Sequence, residues 1–412
     1  MKWYIYSVIV LLLIGVQLDV KAQMPEQYLL EAAANNPMLK AKYAEFEAAM
    51  QRAARSNALP DPTLSFGYFI MPVETRVGPQ RARFSLSQMF PWFGTLAAKK
   101  DMMTLLAEAK YQEFLDARNE IYYEVKKAWY PLYENKQTLQ LQEENIEILR
   151  TYKRLATTAF KNGKGSLSDA LRTDIMIDMA ATEIQLLQQE QKPLLVRFNS
   201  IFNRPETAVV NILGSLPEPS IDMNYRKDSL LQANPVLTAL DLRQQSAQAE
   251  EKLAKKQGLP KFGVGLDYVI VSQRNDVTIP DNGNDVLMPM VSMSLPIFRG
   301  KYRSAIKEAQ YMQDAISAKK EAFINELNSK YANTAYQLSK SYELIKLYDQ
   351  QIVTTKQVTD LLLTDYSNSG KDYEEVLRMQ QQLLKYKIAK IKAIKDYYTA
   401  LAQLDYITSK SE

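Results

Sequence analysis

Carboxylates, amines, hydroxyls and thioethers are the side chains this sequence has for site chemistry, because it contains neither histidine nor cysteine. The missing cysteine removes disulfides, thiol nucleophiles and thiolate metal sites together. The missing histidine removes the commonest general base and imidazole metal ligation. No Ser-His, Cys-His or metal-ligand constellation exists, so no catalytic residues, no cofactor and no resident metal are expected, and an enzyme is not the expectation. Two carboxylates stand just past glycine turns. Asp169 closes "FKNGKGSLSDAL" at 160–171, and Glu375 lies in "YSNSGKDYEEVL" at 366–377, with Arg378 following. An acid in the first turn of a helix is favoured by the helix dipole whatever else it does. Met288 and Met290 share one face of an alternating segment with Ser292 and Ser294. Thioethers suit soft Cu(I) or Ag(I), and they serve as often as flexible packing.

The elements that must position these groups begin after residue 22. "MKWYIYSVIVLLLIGVQLDVKAQ" opens the chain with Lys2, a nine-residue apolar run from Val8 to Val16, and the small-residue site Val20-Lys21-Ala22. This reads as a secretory signal peptide, cut between Ala22 and Gln23. The run is too short for a bilayer-spanning helix of ~20 residues, and no later stretch is apolar enough. The formal charge of +4 is too small to argue for nucleic acid. With 13 Gly and 17 Pro in 412 residues, long uninterrupted elements are expected.

The sequence repeats itself at half length. "AANNPMLKA" at 33–41 returns as "LQANPVLTA" at 231–239, and Leu59-Pro60 returns as Leu259-Pro260. "SQMFPWFG" at 87–94 returns as "MSLPIFRG" at 293–300, with Pro91 matching Pro296. The two glycine-turn segments quoted above correspond in the same order. The halves are 23–220 and 221–412, joined by "NRPETAVVNILGSLPEPS" at 203–220. Each half predicts helices around Asn-Pro and then a strand hairpin, about 62–90 and about 261–295. A long helical hairpin follows, with its tip at about 161–168 or about 367–373. The helix from about Thr95 to Phe160 would be roughly 100 Å long at 1.5 Å per residue.

The strands alternate cleanly. Leu64, Phe66, Tyr68 and Ile70 oppose Thr63, Ser65 and Gly67; Phe262, Val264, Leu266 and Tyr268 oppose Gly263, Gly265 and Asp267. Each segment is near the ~9–11 residues of a tilted membrane strand. A surface hairpin on a helical protein shows the same period. Four strands cannot close a barrel, since lipid tolerates no open edge, so spanning strands require several chains to share one barrel. In the long helix, Leu132, Leu139 and Ile146 form one row, and Leu141, Ile148 and Leu155 form another nearly opposite, which predicts neighbours on two sides. Pro131 should kink or loosen that helix.

The signal peptide, the Asn-Pro helices, "LPDPTLSFGYF", the Pro-bounded strand exits and the duplicated turns resemble the TolC-like outer-membrane efflux proteins across the whole mature chain. The resemblance implies a mainly α protein with a small β part, internally duplicated. Three copies would form a 12-stranded outer-membrane β-barrel continued by a long periplasmic α-helical barrel. It implies a passive duct in the outer membrane of a Gram-negative bacterium, partnered by outer-membrane lipid, a periplasmic adaptor and an inner-membrane pump of the resistance-nodulation-division type. Pro60, Pro91, Trp92, Pro260 and Pro296 would mark strand-to-helix transitions, with Trp92, Phe93 and Phe298 near an aromatic belt. Asn162, Gly163, Lys164, Gly165, Leu167, Ser369, Gly370, Lys371 and Tyr373 would meet the adaptor. Asp169 and Glu375 would narrow the periplasmic entrance. Arg378 stands where the family often has a second acid, which weakens a double acidic ring and offers inter-subunit salt bridges instead. "SQMFPWFG" and "PMVSMSLPIFRGKYR" look like the heavy-metal branch, with Met288 and Met290 toward the lumen. A periplasmic adaptor or an exported structural coiled-coil protein are the competing expectations.

Overall fold

In the computed structural model, residues 26–212, 216–217, 219, 233–276, 278–369 and 372–409 are described. Residues 1–25, which include the segment read as a signal peptide, residues 213–215, 218 and 220–232, and Gly370 and Lys371 lie outside them. Helix α1 spans Gln27–Asn35 and α2 Pro37–Ser56. Strands β1 (Thr63–Val73) and β2 (Gln80–Phe90) lead into α3, Thr95–Lys161, which returns as α4, Leu167–Ile201. The second half gives α5 (Pro235–Gln257), β3 (Lys261–Val271), β4 (Val286–Ser294), α6 (Gly300–Ser369) and α7 (Tyr373–Thr408).

The repeated Asn-Pro pair has a local cause. Asn36 Oδ1 accepts the backbone N–H of Met38 at 2.9 Å and of Leu39 at 3.1 Å. Asn234 Oδ1 accepts that of Val236 at 2.9 Å, with Pro235 in the first helical position. A side-chain acceptor satisfies an amide that the helix leaves unpaired, and proline has no N–H to lose there.

The chain divides into two compact units, each drawing on both sequence halves. One comprises 1–40, 118–231 and 327–412. Its core includes Trp129, Phe198 and Phe202 around Tyr28, and Asn199 Nδ2 ties the following loop through the carbonyls of Glu206 and Ala208. A second cluster joins Leu149 and Ala156 of α3 to Ala170 of α4, Tyr366 of α6 and Val376 of α7. Helix α3 does not break at Pro131. Its neighbours Trp129, Tyr130, Leu132 and Tyr133 are all buried, and that packing outweighs the one backbone hydrogen bond a proline removes. Of the two apolar rows, Leu132 and Ile146 are buried, whereas Leu141, Ile148 and Leu155 are only half-buried in the single chain.

The other unit comprises 41–117 and 232–326 and holds one antiparallel sheet in the order β1-β2-β3-β4. Phe66 pairs with Phe84, Phe84 with Tyr268 and Tyr268 with Leu287. That row belongs to an apolar face that nothing among the described residues covers; Phe66 is 63% exposed and Val291 83%. The opposite face carries Thr63, Ser65, Ser85, Ser87, Gly263, Gly265 and Asp267. Gly263 leaves room there for Met89 Sδ and Ser292 Oγ, which a Cβ at that position would displace. Both edge strands contain a proline, Pro72 in β1 and Pro289 in β4. Among the described residues, no helix is long and apolar enough to cross a membrane.

Candidate functional site

Two places carry the chemistry, and each lies within one unit. The first is the helical tip. Helix α3 ends as Asn162, Gly163 and Lys164 donate backbone N–H groups to the carbonyls of Thr158, Phe160 and Ala159. Gly163 takes φ +68°, the left-handed conformation that closes such an end and favours glycine. Ser166 caps α4 by accepting the Ser168 N–H at 3.2 Å, and Asp169 Oδ2 accepts the Ser166 N–H at 3.3 Å, completing a capping box. One Asp169 oxygen is therefore engaged in holding the turn. Asn162, Gly163, Lys164 and Leu167 are exposed. Gly165 is half-buried, and a Cβ there would sit 3.0 Å from the Ala159 methyl and 3.2 Å from the Tyr366 hydroxyl.

The second tip packs against the first. Tyr373 is only 2% exposed. It lies face-tilted on Tyr366, ring centroids 4.6 Å apart, and its hydroxyl is 2.8 Å from Thr173 Oγ1. Thr173 Oγ1 donates to the Asp169 carbonyl at 2.8 Å. Its only proton is thereby used, so the Tyr373 hydroxyl is the donor in the pair. Burial pushes the Tyr373 hydroxyl up to about 12, which keeps that proton in place. The adaptor contact expected of Tyr373 falls on a ring that the single chain buries. The first position of α7 turns its ring inward, and the exposed first-turn residue is Glu374. Arg172 of α4 pairs with Glu374 across the two tips. Glu375 and Arg378 pair within α7, and the guanidinium holds the Glu375 carboxyl below the usual carboxylate range. In the chain, Arg378 thus balances the adjacent acid. Sequence reasoning missed Arg172, Thr173, Glu374 and Tyr366; the partners are some 200 positions apart, beyond any local spacing rule.

The second place is where the sheet gives way to helices. Trp92 stacks on Phe262 at 5.7 Å, and Gln88 Nε2 donates to the Pro60 carbonyl at 2.8 Å. Gly94 takes φ +74°, turning the chain from Pro91-Trp92 into α3. Pro91, Pro260 and Pro296 are half-buried at the strand ends; Phe93 and Phe298 are exposed, the latter 86%. Within the sheet, Arg83 pairs with Asp267, whose side chain is 0% exposed. Met290 is half-buried and Met288 exposed; their register partners Gly265 and Asp267 lie on the polar face.

Among the described residues, the chain thus combines a sheet with an apolar face left exposed and a polar opposite face with two long helical hairpins. Residues 227–409 match the family model described as outer membrane efflux protein. The fold matches the outer-membrane channel OprN at 17% identity and TM-score 0.74, covering 94% of this chain and 90% of that one. It matches CusC at 13% identity and TM-score 0.78, covering 93% and 91%. For the outer membrane protein VceC from Vibrio cholerae the values are 15%, 0.73, 93% and 95%. No curated protein matched in the sequence search. The second half of the chain thus matches the outer membrane efflux protein model, and the whole chain has the fold of these outer-membrane channel structures.

Proposed function

We propose that the protein is the outer-membrane channel of a tripartite efflux system. Three copies each contribute four strands to one 12-stranded barrel, and their helices form the periplasmic conduit. The two halves, 23–220 and 221–412, act as duplicated units within each copy. A periplasmic adaptor meets the exposed Asn162, Gly163, Lys164 and Leu167, with Gly165 and the sequence segment from Ser369 to Lys371 as further contacts. An inner-membrane pump, of the resistance-nodulation-division type by resemblance, supplies the energy. The duct itself is passive.

One observation carries this reading: an open four-stranded sheet with one apolar face uncovered and an ion pair on the other. Lipid requires that each edge be paired and that charge face away from it. Closing the sheet with two further copies meets both demands.

Gating follows from the tip. Arg172–Glu374 and Thr173–Tyr373 clasp the two hairpins of one copy. Releasing them lets the tips separate, and Asp169 and Glu375, repeated by symmetry, line the entrance. Carboxylates in a narrow entrance favour cations. A second reading, export of soft metal ions, is favoured by Met89 joining Met288 and Met290 on the polar face of the sheet.

The test is membrane fractionation of the mature chain, followed by mass in mild detergent without heating and then by single-channel conductance. A trimer in the outer membrane that conducts is expected. A soluble periplasmic monomer or dimer would sink the duct.

A further inference from the structure

Where β2 passes into α3, the chain builds a cleft of about 930 Å³. Its walls are the end of α2, the first turn of α3, the α5–β3 connection and the start of α6. Arg55, Lys99, Lys256, Lys261 and Lys301 line it, against the single carboxylate of Asp61. Lys256 Nζ donates to the Phe93 carbonyl at 3.3 Å, which leaves two of its three protons for other acceptors.

Thr95, the first residue of α3, also lines the cleft. It is 8% exposed, and its Oγ1 has no hydrogen-bond partner among the described residues. An orphaned buried hydroxyl is costly and calls for a partner. It stands at a helix N-terminus, where amide groups and the dipole favour an anion. Five cations surround the same space. A phosphate oxygen meets all three demands, since it accepts from the hydroxyl, the ammonium groups and the helix end together.

The cleft also has an apolar side. Trp92 lines it and stacks on Phe262, which belongs to the uncovered apolar face of the sheet. Phe93, Ile297 and Phe298 are exposed near the strand ends. A free phosphate ion would gain nothing from that neighbourhood. An amphiphile would place its head on the cations and its chains along the sheet.

We propose that this cleft binds the phosphate head group of an anionic phospholipid, at the level where the strands leave the bilayer. The proposal rests on the reading that the apolar sheet face lies in lipid.

The experiment uses the full mature protein in bilayer discs of phosphatidylglycerol and phosphatidylcholine, with retained lipid counted by native mass spectrometry. The wild type should retain phosphatidylglycerol in preference to phosphatidylcholine. Lys99→Glu/Lys256→Glu/Lys301→Glu should lower retention by on the order of a hundredfold, each charge contributing near the surface. The charge-matched control Lys40→Glu/Lys319→Glu/Lys340→Glu should retain it as the wild type does. Thr95→Val, which keeps shape and removes the hydroxyl, should lower retention about fivefold with the oligomer intact.

Equal retention by the wild type and the cleft triple variant would overturn the proposal. Displacement of the lipid by millimolar inorganic phosphate would assign the cleft to free phosphate instead. Loss of the oligomer in the triple variant, with Thr95→Val unchanged, would make the cleft a contact between copies. Conductance is recorded from the same preparations. A wild type that retains lipid but does not conduct fails the duct alone, and one that conducts without lipid preference fails the cleft alone.

Discussion

The polar face of the sheet and the helical tip use the same chemistry to opposite ends. Each joins the two sequence halves through an arginine–carboxylate pair. In the sheet, Asp267 is wholly covered by its surroundings. At the tip, Arg172 and Glu374 keep side-chain exposures of 50% and 76%. A covered pair cannot be opened without stranding a charge. An exposed pair is screened by salt and contributes little. The first arrangement ties β2 to β3, and the second, being exposed, is the more easily released.

Removing one side of the covered pair should therefore have the largest effect. Asp267→Ala should destabilise the assembled protein by about 3 kcal/mol, the low end for a broken buried pair because Arg83 keeps some water. Denaturant unfolding of the detergent-extracted oligomer reads this. The double variant Arg83→Ala/Asp267→Ala should recover part of the loss. If it does not, the pair is not what holds the register.

Tyr373→Phe comes next. It removes the one donor to Thr173 while keeping the ring on Tyr366, at a cost of about 1 kcal/mol. The open probability of single channels should rise about fivefold, with oligomer stability unchanged. Arg172→Ala should change open probability less than Tyr373→Phe, because an exposed pair contributes about 0.2–1 kcal/mol. Its effect should vanish in molar salt, and that of Tyr373→Phe should persist. An equal response of both variants to salt would erase the proposed difference between the two clasps.

The smallest effect concerns pH. Arg378 lowers the Glu375 carboxyl in the folded state. A depressed acid contributes stability that is present above its unfolded value, near 4.5, and is lost as pH falls through the lowered one. Conductance titrated downward through that acid range should show a step that Glu375→Gln abolishes. The Tyr373 hydroxyl, held up to about 12, should add no step between pH 5 and pH 9.

Much of this was legible from residue order. The Asn-Pro repeats announced capped helices because capping is local, and alternation announced strands because side chains point to opposite faces every second residue. The glycine turns gave the tips. Pairings at long range were not legible: Arg83 finds Asp267 only once β2 and β3 are in register, and Thr173 finds Tyr373 only once four helices pack. Resemblance alone assigns Tyr373 to the adaptor contact; which way the first position of α7 faces depends on the helices it meets. Pro131 reads as a kink or loosening of the helix because propensity ignores the buried Trp129 and Tyr133 on either side. The orphaned hydroxyl of Thr95 has no signature in a string of letters.

The prolines of the two edge strands bear on how the protein is made. In the single chain the sheet has two unsatisfied borders and an oily face, the profile of a chain that adds to any passing strand. Pro72 and Pro289 each leave a gap in the donors along a border. A foreign strand cannot run the full length of either border without meeting that gap. With the proposed ring of three copies, biogenesis becomes a race in which the correct neighbour, completing that ring, gains what a stray strand cannot, and the lifetime of the lone subunit sets the yield.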